Sequence, residues 1–414
     1  MLVLALAVAI PLFFYQLEQH PPGFYIDEAL VGYSARSLQL TGKDEWGKVL
    51  PFFLRFYGSY NPPLYTYLTV ISEMVFGLTV FSVRFVSALA GVIGAVLIYW
   101  LVSELWPDKK FSAAFAALTY VTTPWVMFYA RIGYEVNLSM VLLLAGLACL
   151  WKALKRPPWY LAATLALTLS AYTAYAERLA VPIFLFLFLV IFRQDIFRRQ
   201  SYPWLSMSLI LGLVLNLPHF YILFTPAFLP KAMEVAPNLS EIGRLREFIA
   251  QYSNYLSPVS LFFRPDPDPQ RSLPRLAAFL PWLVIPYGFG LIYLWRQVKQ
   301  RPVKFVWLML LTFALPAALT RDPFASHRSF PLVIPVILAV SLGLEVIRKK
   351  IGRIFWFLFF ILLFVGVALL SYVYFGLLPY RAGVWMAGYD KLAQEVRVHP
   401  QSHFLIDQNR LKPS

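Results

Sequence analysis

Cysteine is almost missing from this chain: one residue, Cys149, stands among 414, inside an apolar run. A lone cysteine excludes an intrachain disulfide framework and a cysteine-ligated metal cluster. Charge is scarce too, at 14%, where water-soluble domains carry about 25%. That deficit excludes an ordinary soluble chain. Acids are outnumbered, 21 against 36 Lys and Arg, for a formal charge of +15. Such an excess suggests nucleic acid only until the cations are located. They sit mostly in short connections between apolar runs, where they orient helices and meet anionic lipid, so no nucleic-acid partner is expected. Residues 1–17 have neither a basic n-region nor a small-residue cleavage site. They read as an uncleaved first helix, with a short basic cytoplasmic leader expected ahead of them.

What the chain has in abundance is apolar and aromatic surface, 59% and 17% of its residues. It falls in repeated runs of roughly 16–23 residues, the length of membrane helices. The fold class expected is therefore an all-α polytopic membrane protein. Spans are expected near 2–17, 84–105, 111–130, 136–152, 159–175, 178–193, 203–223, 276–295, 304–320, 329–346 and 354–376, about eleven in all. Every second connection is basic: Lys109-Lys110; Lys152 to Arg156; Arg193 to Arg199; Arg296 to Lys304; Arg348 to Arg353. These are the cytoplasmic loops by the positive-inside rule, which points to the plasma (inner) membrane with the other connections outside. Pro62 to Phe76 is apolar as well, but it is short, contains Ser72 and Glu73, and starts at Pro62-Pro63. It reads as an interfacial helix on the outer leaflet.

The domain layout expected is one transmembrane domain over 1–376, with external loops at 19–83 and 224–275, then an external tail at 377–414. Helices are expected at about 28–40 in the first loop and from an Asn238/Glu241 capping box to about Tyr255 in the second. Ser402 to Asp407 reads as the first strand of a soluble unit cut short.

Polar groups gather on the external side: Asp27, Glu28, Arg55, Tyr57, Tyr60 and Asn61; Arg84; Arg131, Tyr134, Glu135 and Asn137; Glu177-Arg178; Asp322, His327 and Arg328. Carboxylates close to hydrocarbon are costly and mark function. The plain structural alternatives are that Asp27 caps the 28–40 helix, that Arg131 and Glu135 pair at i,i+4, and that Glu177-Arg178 is a turn ion pair. A transporter would place polar features near the bilayer midplane, and here the span interiors are nearly all apolar. An interfacial cluster of carboxylates, cations and aromatics suits transfer from a lipid phosphate to a hydroxyl. A carboxylate takes the hydroxyl proton, a cation offsets the phosphate charge, and aromatic faces hold a sugar. Asp266 and Asp268, in the run Arg264-Pro265-Asp266-Pro267-Asp268-Pro269, read either as a stiff turn or as ligands of a divalent cation; no other cofactor is implied.

Asp27-Glu28, then Asn61-Pro62-Pro63-Leu64-Tyr65, then Val83-Arg84-Phe85-Val86-Ser87-Ala88-Leu89-Ala90-Gly91, resemble the GT-C membrane glycosyltransferases. The branch they are most similar to holds the protein O-mannosyltransferases and lipid A aminoarabinose transferases. Tyr129 to Glu135 resembles that branch's second acidic motif, and His327 to Pro331 its later basic-then-proline stretch. The resemblance covers about 15–350. It implies an undecaprenyl- or dolichyl-phosphate sugar donor, a lipid, glycan or protein acceptor, inversion at the anomeric carbon, and chemistry on the outer face. By it, Asp27 is the acid–base residue with Glu28 beside it, and Glu135 is the second carboxylate. Aminoarabinose transferases carry Lys where this chain has Asn61. Neutralising the donor phosphate then falls to Arg131 first, with Arg328, His327, Arg84 and Arg55. Tyr57, Tyr60, Asn61 and Tyr134 are the candidates for sugar and acceptor. The function expected is an inverting, lipid-phosphate-sugar glycosyltransferase. A flippase of lipid-linked sugars and a glycan polymerase or ligase are the other readings.

Overall fold

A computed structural model describes residues 1–56, 59–223, 241–320, 322 and 324–402. Backbone in hydrocarbon must satisfy its own polar groups, so the apolar runs wind into helices. They are α1 (Leu2–Phe14), α4 (Val80–Leu105), α5 (Lys110–Val121), α6 (Pro124–Ala130), α7 (Glu135–Ala153), α8 (Trp159–Ala171), α9 (Tyr175–Ile196) and α10 (Tyr202–Leu223). After α11 (Glu241–Leu256) come α12 (Val284–Arg296), α13 (Arg301–Phe313), α14 (Val333–Ile351) and α15 (Arg353–Ser371). The chain is a multi-pass membrane protein.

A helix stands at each expected span, but length separates them. Among the described residues seven helices are long and apolar enough to cross a membrane, with α13 continued through to Ala318, and eight if the bent pair α5–α6 is one span. That pair turns by 58°, where Thr122 and Thr123 bond back to Leu118 and Thr119 carbonyls and Pro124 contributes no N–H. The other three, α1, α8 and α12, have 13 residues each, roughly 20 Å of helix against a hydrocarbon core of about 30 Å.

The windows of Glu135–Ala153 and Phe330–Ile351 are 83% and 89% buried, whereas that of Arg199–Tyr221 is 0% buried. So α7 and α14 form the centre, and α10 faces lipid. Between α12 and α14 the backbones nearly touch: a Cβ on Gly290 would run into the Ala339 carbonyl, and one on Gly343 into that of Pro286. With no hydrophobic force between helices in lipid, such close approach supplies the packing.

The first loop is built on the end of this bundle. Its helix α2 runs Ile26–Thr41, two residues earlier than expected, with Tyr25 as N-cap. The Tyr25 N–H donates to Glu28 Oε2 at 3.1 Å, so Glu28 and not Asp27 closes the helix start. A hairpin, β1 (Leu54–Phe56) with β2 (Ser59–Asn61), then leads into α3 (Leu64–Phe76). The expected 241–255 helix is α11, whose proposed cap at Asn238 lies outside the described residues. The chain past α15 winds on through Trp385 and lies back against the first loop, where Gly23, at φ +90°, meets the Trp385 and Ala387 backbone too closely for any Cβ. A helix at Tyr389–Val398 follows, and the strand expected at Ser402 to Asp407 lies outside the described residues apart from Ser402.

Candidate active site

Burial decides which of the expected site residues are available to a ligand. Glu28 is buried and reaches three elements. It accepts from Arg84 Nε at 2.8 Å and Arg84 Nη2 at 2.9 Å, and from the Gly133 N–H at 2.6 Å. Arg84, at 0% exposure, also donates to the carbonyls of Leu17, Pro21 and Gly23. Its five N–H donors are spent gathering the chain that enters α2. Arg131 is the same device one step away. Also 0% exposed, it donates from Nη1 to Leu12 O and from Nη2 to Tyr15 O, both at 2.7 Å. Its guanidinium faces the Tyr374 and Phe375 rings at 4.6 and 5.0 Å.

Arg84 and Arg131 are thus corrected from donor-phosphate residues to internal ties. Carbonyls at the end of α1 and in the loop after it have no helical partners of their own, and a buried guanidinium is their strongest donor. Arg55 is also displaced: it is exposed on β1 opposite Tyr60, with its guanidinium 4.3 Å from the Trp46 ring. Tyr60 and Asn61 belong to that hairpin and do not line the cleft described next. Tyr57 lies outside the described residues.

An open cleft of about 100 Å³ lies at the bundle end opposite the basic connections. Asp27, Glu28, Tyr134 and His327, from the first, second and last external motifs, line it. Tyr25, Tyr129, Gln270, Arg271 and Trp385 complete it, and none of these was singled out from the sequence. The Tyr25 hydroxyl donates to Gln270 Oε1 at 3.3 Å, and Gln270 Nε2 to Val384 O at 3.3 Å, joining loop, insertion and tail. Tyr134 is half-buried, and its removal from water, with Glu135 and Asp27 adding to it, holds its phenol well above its usual range, against the pull of Arg328. Glu135 starts α7 next to Tyr134, outside the cleft lining.

The cation in the cleft is Arg271. Its Nε lies 3.2 Å from Asp268 Oδ2 and 3.5 Å from Asp266 Oδ2, and its Nη1 3.6 Å from Asp322 Oδ2 and 3.4 Å from His327 Nδ1. Burial pulls its pKa down, but Asp266 and Asp268 outweigh that and raise it. Arg328 Nη1 meets the same Asp322 Oδ2, at 2.8 Å. The two acids proposed for a metal therefore share the Arg271 guanidinium. They are also spent on backbone: Asp266 accepts from the N–H groups of Asp268 and Ser326, and Asp268 from that of Gln270. Among the described residues no three His, Cys, Asp or Glu converge as metal ligands. The signal for Arg271 was local: an Arg three residues after Asp268 in a run that proline holds extended.

Residues 60–222 match the family described as dolichyl-phosphate-mannose-protein mannosyltransferase. An undecaprenyl phosphate-alpha-4-amino-4-deoxy-L-arabinose arabinosyl transferase 2 of Sodalis glossinidius is 29% identical over 191 residues, 44% of this chain and 32% of that protein. The corresponding transferase of Yersinia pestis is 25% identical over 292 residues, 68% of this chain and 49% of its own length. ArnT from Cupriavidus metallidurans, solved bound to undecaprenyl phosphate, superposes with a TM-score of 0.54 at 16% identity, over 83% of this chain and 60% of that one. The chain has a GT-C-like membrane fold. The GT-C architecture also relates the chain to the archaeal oligosaccharyltransferase AglB from Archaeoglobus fulgidus, solved with an inhibitory peptide and a dolichol-phosphate (TM-score 0.58, 14% identity, 92% of this chain and 55% of that one). The chain spans between a third and a half of the curated relatives it matches.

Proposed function

We propose that the protein is an inverting glycosyltransferase that moves a sugar from a polyprenyl-phosphate donor to a hydroxyl on a lipid, glycan or protein acceptor. The observation that carries the reading is the cleft itself, which puts the Asp27 carboxylate and the Arg271 guanidinium on one aromatic-walled hollow. Asp27 takes the proton as the acceptor oxygen attacks the anomeric carbon. The carbon–oxygen bond to phosphate breaks, its electron pair leaves on the lipid phosphate, and Arg271, steadied by Asp268, meets the charge that develops. The part-exposed aromatic faces of Tyr25 and Tyr134 suit a sugar ring. A flippase gains no support from this arrangement, because the polar groups cluster at one end of the helices.

The test is a radiolabelled polyprenyl-phosphate sugar offered to membranes containing the protein. Label should pass from lipid to acceptor; movement across the bilayer without release from the lipid is the result that sinks the reading. Arg271→Lys keeps the charge but not the planar fork. It should raise the donor KM on the order of tenfold, with kcat less affected. Unchanged donor use by Arg271→Lys, together with loss of wild-type activity on chelation, would move phosphate neutralisation to a divalent cation.

The basic connections support a reading in which the cleft opens on the extracytoplasmic face of the plasma (inner) membrane. In a Cys149→Ala background, a cysteine replacing exposed Arg264 should react with an impermeant thiol reagent in intact cells, and one replacing exposed Gln200 should not. The reverse pattern would invert the topology.

A further inference from the structure

The stretch from Lys43 to Arg55 is a hydrogen-bonded, outward-facing platform that does not line the cleft. Asp44 shapes it: its Oδ1 accepts the N–H groups of Trp46 and Lys48, and its own N–H donates to Lys48 O. Gly47 takes the turn at φ +82°, and Lys43 bridges to Val49. The ordering sorts the side chains by kind. Asp44 is buried and Glu45 is turned inward to accept the Ser34 hydroxyl at 2.9 Å. Lys43, Lys48 and Arg55 are exposed, and with them Trp46 (58%), Val49 (62%), Leu50 (62%) and Phe52 (65%).

Four large apolar side chains held outward by a hydrogen-bonded loop would be a liability in water, and a patch of that kind marks an interaction surface. Its neighbours indicate the occupant. Phe53 packs against His219 of α10 at 5.6 Å, beside Phe220 and Tyr221, which are exposed at the end of that lipid-facing helix. The Tyr67 hydroxyl of α3 donates to Pro51 O at 2.9 Å, and α3 exposes Ile71, Met74 and Val75. The patch is therefore continuous with the surfaces that meet hydrocarbon, and its cations have no exposed acid among them. We infer that residues 43–55 dock into the surface of the adjoining leaflet, the apolar side chains entering the headgroup boundary and Lys43, Lys48 and Arg55 holding anionic headgroups.

The experiment uses the full chain in the Cys149→Ala background with Leu50→Cys carrying an environment-sensitive dye. It is reconstituted in phosphatidylcholine vesicles and in vesicles one-third phosphatidylglycerol. In the anionic vesicles the dye should shift to the blue, be quenched by spin-labelled lipid, and lose about fivefold of its accessibility to aqueous iodide, with high salt reversing part of the change. Lys43→Gln and Lys48→Gln should each give back part of that loss. Equal iodide access in both vesicles overturns the inference. So does protection that ignores lipid charge but grows with protein density, which would assign the patch to a second copy of the chain. Sugar transfer is not read, so failure here leaves the proposed activity standing.

Discussion

Asp27→Asn should lower sugar transfer on the order of a hundredfold or more, while the amount and melting of the protein stay near wild type. The substitution keeps the size of the side chain and removes its capacity to take a proton. The structure makes it a clean test, because the start of α2 is closed by Tyr25 and Glu28, which the change leaves in place. The measurement is initial transfer rate at saturating donor, with a melting curve on the same preparation. A variant that transfers at near the normal rate would retire Asp27 as the base and direct attention to Glu135, across Tyr134 from the cleft.

Arg84→Met should have the larger effect on the protein itself. The side chain is wholly buried, pairs with Glu28, and holds four carbonyls of the loop that carries Asp27. Removing one partner strands the buried Glu28 carboxylate, a loss of about 3–5 kcal/mol, against a total stability of about 5–15 kcal/mol for an ordinary domain. Detergent-solubilised protein should melt far earlier or fail to accumulate. Arg84→Met combined with Glu28→Leu should recover part of the loss, since no charge is then left unpaired. If Arg84 instead met the donor phosphate, Arg84→Met would fold normally and fail only in donor binding.

The two effects separate what local sequence reports from what it does not. Length, hydrophobicity and the alternation of basic connections are summed over many residues, and each residue votes independently for its environment. The helical class, the placing of the apolar segments and the end of the bundle that bears the cleft were legible in that way. Asp27, Tyr134 and His327, singled out by the motifs of the resemblance, line one cleft. Among the apolar segments α1, α8 and α12 came out shorter than their apolar runs, because helix ends yield to packing and to proline.

Only the tertiary structure decided what each cation does. Arg84, Arg131, Arg55 and Arg271 are alike in sequence, all beside apolar segments on one side of the membrane. Arg84 and Arg131 are consumed by carbonyls more than sixty and more than a hundred residues away. Arg55 lies on a hairpin that faces outward, and Arg271 reaches the cleft because the Asp-Pro run folds under His327. A guanidinium takes its role from whichever acceptors the fold brings within about 3 Å, and that proximity is a property of the packed chain, with no counterpart in the order of its residues.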